Sequence, residues 1–332
     1  MISRREFTVG LLLATATQFA WAQTPAKQHR IVFVSSAIPA EELTETAGPS
    51  MVRQFFGAMG GRGYTEGGNL VVERYSAVGQ PERYADLAYE VVSRNPEVIV
   101  TDHDMLLRVL KTTTGKIPVV GVMSDLFVPW WPGSLSGYPG NAPFVSLVTG
   151  PEFYGKQLQM LKDAVPSAAR IASLFARVDW GLVERVLSDA GGRLGISLIK
   201  ISPSDGTAGQ IHRALTDIAQ QQPDAAIVSP EVDFLAHRRL IVEWAEKSRL
   251  PVMYPVRDYV ELGGLMAYGP DLAELGQHLA DDVDRILHGT TPSDIPIYQP
   301  AKFEFLINLK TASALGLTLP RSLLLLADEV IE

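Results

Sequence analysis

The side chains able to do chemistry in this 332-residue sequence recur at the ends of short apolar runs. They are Ser35 and Ser36, Thr101 and Asp102, Ser124 and Asp125, Arg177, Glu231 and Asp233, Arg257 and Tyr268. These types suit recognition of a small polar solute. Carboxylates can hold an ammonium group, and a guanidinium can grip a carboxylate through two parallel hydrogen bonds. For each position the alternative is a solvated loop residue or, for Asp102, Asp125 and Asp233, a helix cap. Patterns for bond-making chemistry do not emerge. Gly133-Ser134-Leu135-Ser136-Gly137 puts leucine where a nucleophile elbow needs serine. Gly61-Arg62-Gly63 follows a helical stretch and is succeeded by Glu66 at the position where a dinucleotide fingerprint ends in glycine. No phosphate-binding loop is present. Asp102-His103-Asp104 is a poor metal site, because adjacent residues at a strand end do not converge and no second histidine is placed to help. His212 and His237 are expected on helix surfaces. With no cysteine, thiolate metal sites, disulfides and cysteine nucleophiles are excluded. The expectation is a protein with no catalytic residue, metal or cofactor.

The elements that must position these side chains alternate regularly. The apolar run at 30–36 reads as a strand buried on both faces, and 69–75, 98–101, 117–123 and 144–148 read as further strands. Stretches with helical spacing at 51–59, 82–94 and 105–113 lie between them. The alternation restarts with a helix at 152–164. Strands at 171–175, 197–201, 226–229 and 252–254 follow, with helices at 182–194, 208–221 and 237–247. Repeated β-α alternation implies parallel sheets with helices on both faces. The fold class expected is α/β, with two doubly wound parallel-sheet lobes joined by a hinge. In such sheets ligands sit beyond the carboxyl ends of the strands, where the residues above fall. The Pro-, Gly- and aromatic-rich segment 126–141 interrupts the pattern and is read as a functional loop. Phe127, Trp130, Trp131 and Tyr138 within it could stack on a ring or simply pack the loop.

The hinge itself is sought at 251–276. There a strand, a helical turn at 256–262 carrying Arg257 and Asp258, a Gly263-Gly264 break and a second strand at 265–268 follow within a few residues. Asp271 is placed to cap the next helix, 272–287. A turn-rich link at 290–296, an extended segment at 297–309 and an apolar tail at 315–332, expected to pack on a lobe, complete the chain. The domains expected are a signal peptide at 1–22, lobe one at 30–148 plus 269–292, and lobe two at 149–268 plus 293–332.

Composition agrees with two ordinary cores: 46% of residues are hydrophobic and 20% charged. The net charge of −8, from 37 acidic and 29 basic residues, argues against a nucleic-acid partner. At the N-terminus Arg4-Arg5 precede an apolar run at 9–20, and Ala20-Trp21-Ala22 presents the small residues of a cleavage site before Gln23. The run is too short for a permanent span of about 20 residues. Stable membrane insertion is therefore not expected, and the periplasm is the expected location.

Four segments carry a resemblance: AHRRLIVEWAEKSRLPVMY at 236–254, GGLMAYGPDLAEL at 263–275, QPAKFEFLINLKTASALGL at 299–317 and SLLLLADEVIE at 322–332. The chain resembles ABC-transporter substrate-binding proteins of the type I periplasmic-binding fold, in the subgroup whose members take up tryptophan and related amino acids. Where that subgroup has Asp-Pro-Val and Asn-Val-Thr-Gly, this chain has Asp125-Leu126-Phe127 and Asn141-Ala142-Pro143-Phe144. The resemblance implies three crossings between the lobes and a ligand in the cleft. It also implies a monomer whose partners are a small-molecule ligand and an ABC permease. An amino-acid-like or aromatic carboxylate ligand is favoured over a sugar. A receptor for a membrane signalling protein and, behind it, a periplasmic enzyme using the same cleft are the alternatives. The paired arginines also resemble a twin-arginine export signal, although Thr8-Val9 replace the usual Leu-Lys.

The expected product of export is a lipid-free mature chain beginning near Gln23, as N-terminal sequencing of the periplasmic fraction would show. Export by the twin-arginine route should be blocked when Arg4 and Arg5 are replaced by lysine. Recovery of the chain from the cytoplasm with Met1 intact would contradict this.

Overall fold

The computed structural model describes residues 27–123, 142–147, 152–175, 180–300 and 302–332. Ser124, Asp125, Arg177 and the aromatic residues of segment 126–141 lie outside the described residues.

The first half builds a sheet from β1 (His29–Ser35), β2 (Leu70–Ser76), β3 (Val98–Thr101), β4 (Val119–Met123) and β5 (Phe144–Ser146). All are parallel, in the order β2-β1-β3-β4-β5. The strand pleat sorts its side chains: Ile31 and Phe33 enter one apolar layer, Val32 and Val34 the other. The second layer is filled by α2 (Tyr84–Ser93) and α3 (Asp104–Thr113), through Leu87, Val91, Leu106 and Leu110. The first is covered by α1 (Ser50–Gly61) and, from far along the chain, α10 (Leu272–Leu287). These two helices pack so closely that a Cβ on Gly276 would stand 2.2 Å from the Met51 carbonyl oxygen.

The second sheet holds β6 (Arg170–Leu174), β7 (Ser197–Ile201), β8 (Ala225–Val228), β9 (Val252–Tyr254) and β10 (Met266–Pro270). Its helices before β10 are α4 (Glu152–Ala164), α5 (Trp180–Leu194), α6 (Ala208–Gln221), α7 (Val232–Ala236), α8 (Arg238–Ser248) and α9 (Arg257–Val260). The order β7-β6-β8-β9-β10 repeats that of the first sheet, so the expected doubled α/β architecture is present. Two strands were not foreseen as sheet members of this kind. β11 (Phe303–Asn308) joins β10 antiparallel, and the C-terminal β12 (Glu329–Ile331) adds parallel to β11. The tail thus extends the sheet instead of only packing on it, with α11 (Leu309–Ala314) and α12 (Arg321–Leu326) between the two strands. The expected helix at 237–247 is α8, and the short α7 before it, ending at Ala236, was not foreseen.

The chain passes between the sheets three times. It leaves β5 for α4, leaves β10 for α10, and returns from Tyr298, bridged to Val145 in the first sheet, to β11 in the second. The second passage has the Asp271 cap that its sequence calls for, with Oδ1 accepting the Ala273 N–H at 2.8 Å. Gly269 is required there because a Cβ would lie 1.7 Å from the Pro255 carbonyl oxygen.

One buried acid stands outside the cleft. Asp282 on α10 is 6% exposed, and its Oδ2 has no hydrogen-bond partner. Burial pushes its carboxyl up to about 7, against the pull of Arg285. A carboxyl whose folded pKa lies above its unfolded value binds more protons when folded, so stability falls as pH rises from about 4 through about 7. Asp282→Asn is expected to raise stability above pH 7 by roughly 1–2 kcal/mol and to leave it little changed at pH 4. Denaturant melts at the two pH values check this, and equal effects at both would contradict it.

Candidate functional site

The strand orders fix where a site can form. In each sheet the first strand lies between the second and the third, so the order in which strands are added reverses between β1 and β3 and again between β6 and β8, while the strands stay parallel. Beyond the carboxyl ends of those strands lie Ser35, Ser36, Thr101 and Asp102 in lobe one and Ser229 and Glu231 in lobe two. All six are buried.

Asp102 anchors the lobe-one side. Its Oδ1 accepts the Ser36 N–H at 3.0 Å, whereas Oδ2 has no partner. Burial pushes the carboxyl up to about 6, against the Ser35 hydroxyl and the Ser36 amide, which favour the charged form. The Ser35 hydroxyl oxygen also accepts from the N–H groups of Ala37 (3.1 Å) and Ile38 (2.8 Å), which turns the chain away from the strand end. Thr101 Oγ1 is buried and unpartnered. Tyr84 on α2 adds a phenol beside Ser36, held protonated by burial and by the nearby acids. His103 caps α3 by accepting the Met105 N–H on Nδ1 at 3.2 Å, so its neutral form carries the proton on Nε2.

Lobe two faces this with two acids. Glu231 accepts a short hydrogen bond from the Ser229 hydroxyl. Asp233 stands at the start of α7 with Oδ1 unpartnered. Burial raises its pKa, while His103 from the opposite lobe and His237 from its own pull it down. The structure therefore brings Ser35, Ser36, Thr101, Asp102, Glu231 and Asp233 to one cleft. His237, expected on a helix surface, is half-buried there because α7 and α8 part at that residue.

Two predicted residues stand elsewhere. Arg257 does not face the cleft: its Nε and Nη2 donate to Glu304 at 3.2 and 2.6 Å, and Nη1 donates to Glu329 at 2.7 Å. Both partners belong to the unforeseen strands β11 and β12. Tyr268 is packed between Phe153 and Phe303, with ring centroids 5.9 and 5.7 Å away, and lines no part of the cavity. Both departures have a plain cause. Successive residues of a helical turn point about 100° apart, so α9 sends Arg257 to β11, Asp258 to α1 and Tyr259 to the cleft.

Between the lobes lies a narrow cavity. Met51, Val122, Leu147, Leu272 and Asp102 line it from lobe one; Pro230, Glu231, Val232, Leu235, Pro255, Val256 and Tyr259 line it from lobe two. Its volume is about 20 Å³, room for a single water. Small-molecule sites span roughly 300–1,000 Å³, so a solute enters only if the lobes part. The lining is apolar apart from two carboxylates and the Tyr259 hydroxyl, which is buried and unpartnered. Among the described residues it holds no basic side chain. Such walls suit an apolar body that carries a cationic group. The sequence did not single out Met51, Tyr84, Tyr259 or Leu272. All four lie on helix faces with an ordinary apolar spacing, which marks core and site lining alike.

The fold has counterparts among solved structures. A conserved domain protein from Vibrio cholerae matches with a TM-score of 0.78 and 21% identity over 92% of this chain and 100% of that one. An ABC domain from Streptococcus pneumoniae, solved in complex with L-Trp, matches with a TM-score of 0.75 and 19% identity over 92% of this chain and 100% of that one. The 5-methylthioribose transporter solute-binding protein of Thermotoga lettingae gives 0.57 and 13% over 92% of this chain and 98% of that one. At these identities the likeness is one of fold. No curated protein sequence matches the chain. The family model described as ABC transporter substrate binding protein matches residues 46–331, nearly the whole chain after its N-terminal segment, and with that match the two-lobed structure and its cleft identify the chain as a member of the ABC-transporter substrate-binding protein family.

Proposed function

We propose that this protein is an exported receptor that captures a small amino-acid-like solute between its lobes and delivers it to an ABC permease. It performs no chemistry on the solute. In this reading 30–148 with 269–292, and 149–268 with 293–332, move as two bodies. The observation that carries the ligand class is Asp102, a buried carboxylate on the cavity wall with one oxygen unpartnered. An ammonium group supplies the missing donor and the missing charge at once. The apolar body then lies along Met51, Leu147, Val256 and Leu272, the lining contributed by both lobes.

The carboxylate half of the ligand has less support than the amine. Arg257 is committed to Glu304 and Glu329, so the ammonium leads in recognition. This ranks amines with an apolar or aromatic body, amino acids among them, above carboxylates that lack an amine. The Streptococcus pneumoniae counterpart solved with L-Trp agrees with that order.

A thermal-shift screen of amino acids, aromatic amines, aromatic acids, polyamines and sugars tests the reading, because a ligand that binds the folded state raises its melting temperature. An apolar amine or amino acid should score. Its effect should grow as pH rises from 5 to 7, since Asp102 must lose its proton, with a pKa of about 6, before it can pair with a cation. Asp102→Asn should weaken binding by about 2 kcal/mol, roughly thirtyfold, and flatten that pH dependence. Arg257→Ala should leave the affinity unchanged but lower stability by about 1–2 kcal/mol, because it strands the largely buried Glu304 carboxylate. A screen in which only sugars or amine-free acids score would overturn the ligand class.

A further inference from the structure

The cleft carries a carboxyl on each side of one contact between the lobes. That contact joins the segments that follow β2 and β7, the outermost parallel strands: the Gly206 N–H of lobe two donates to the Gly79 carbonyl of lobe one at 3.0 Å. From Gly79 the path into lobe one is short. Its N–H donates to the Ser36 carbonyl at 2.8 Å, and the Ser36 N–H donates to Asp102 Oδ1 at 3.0 Å. From Gly206 the path into lobe two is shorter. A Cβ there would stand 2.2 Å from Asp233 Cγ, so that carboxyl lies directly against the Gly206 backbone.

Neither carboxyl is satisfied within the protein. Asp102 is 3% exposed with Oδ2 unpartnered, and Asp233 Oδ1 is buried and unpartnered. The hydroxyls of Ser36 and Thr101, both fully buried beside Asp102, are unpartnered as well. The groups that face the pair are His103, Asp104 and Tyr84 from lobe one and Asp205 and His237 from lobe two. His237 Nε2 is spent on the Gly206 carbonyl at 3.0 Å, and His103 Nδ1 on the Met105 N–H. The charge of Asp233 adds to burial in raising the Asp102 pKa. Bringing the lobes together therefore strips water from two carboxylates and sets their like charges against each other. A cation between them offsets both costs and supplies N–H donors to both.

We propose that Asp233 is the lobe-two half of the cation site, a specificity-determining residue that makes closure conditional on a positive charge lying between it and Asp102. The ligand's head is then a cation with N–H donors directed at both lobes. A neutral molecule of the same shape fills the apolar lining but leaves the two acids opposed. A carboxylate carried beside the ammonium must point away from both. The inference rests on the reading of Asp102 as the ammonium anchor and adds the opposite wall to it.

Two measurements at pH 8 test it. Phenethylamine and 2-phenylethanol share an apolar body and differ in the charge of the head. By calorimetry the wild type should bind the amine about tenfold more tightly than the alcohol. Asp233→Asn keeps the shape and removes the charge; it should weaken the amine about fivefold and leave the alcohol unchanged. The chain has no cysteine, so Ala85→Cys on α2 and Gln220→Cys on α6, both exposed, place one spin label on each lobe. In the wild type, phenethylamine should raise the short-distance population several-fold. Without any ligand, Asp233→Asn should raise it too. Asp102→Asn should act in the same direction, and the double variant by less than the sum of the two, because the single changes remove one shared repulsion. Ligand-free distances unmoved by Asp233→Asn, effects that simply add, or an amine affinity that Asp233→Asn does not touch would overturn the proposal. Where Asp233→Asn fails to fold, unmoved distances in Asp102→Asn overturn it equally. An amine that binds the wild type no better than the alcohol would overturn the ammonium reading of Asp102, while the ligand-free distances still decide whether the two acids oppose closure.

Discussion

The hydrogen bonds from Ser50 to Asp258 hold the two halves of this molecule in register. Helix α1 begins after Pro49, which offers no side-chain cap, so its first amides need an acceptor from elsewhere. Asp258, on α9 of the opposite lobe, accepts from the Ser50 N–H at 2.7 Å and from the Ser50 hydroxyl at 2.6 Å. It is buried, and its negative charge meets the positive end of the α1 dipole. The face of α1 is meanwhile clamped to α10. One helix is thus tied to lobe two by its end and to lobe one by its side. Met51, the residue after the capped one, lines the cavity. Cavity wall and interlobe contact share the same turn of helix.

Electrostatics then shape what the cleft can hold. Asp102 and Asp233 are carboxyls largely withdrawn from water, one on each side of the cleft. Lost hydration favours their protonation, the charge of Asp233 adds to this at Asp102, and His103 and His237 offset it only in part. An empty closed cleft therefore carries a penalty that falls with acid. A cationic solute relieves the same penalty at neutral pH. The apolar remainder of the lining contributes affinity in proportion to the surface it removes from water, about 25 cal/mol per Å².

The sheets were legible in the sequence because buried parallel strands are continuous apolar runs, and β-α alternation leaves few other topologies. That Ser35, Ser36, Thr101, Asp102 and Glu231 stand at the cleft was legible for the same reason, since they follow strand ends at a reversal of strand order. Residues on helical turns were not. A four-residue helix such as α9 turns through most of a circle, and nothing local says which of Arg257, Asp258 and Tyr259 faces the cleft. Arg257 was misplaced for a further reason: its partners, Glu304 and Glu329, lie 47 and 72 positions away, on strands whose antiparallel and C-terminal pairing has no local signature. Gly79 carries a requirement that exists only between lobes, since a Cβ there would meet the Gly206 carbonyl.

The place of α10 in the chain bears on how the molecule is made. Sheet one presents Ile31, Phe33, Val98, Val100, Val120 and Val122 to a layer that α10 helps to fill. That helix is encoded after every parallel strand of β6 to β10. During synthesis from the N-terminus, at roughly 5–20 residues per second, the first sheet waits with part of an apolar face uncovered while more than a hundred residues follow. The second sheet lacks its edge until β12, Glu329–Ile331, has been made. A chain cut between β5 and α4 therefore yields a first fragment that lacks α10, part of its own core, whereas the second keeps every strand of its sheet.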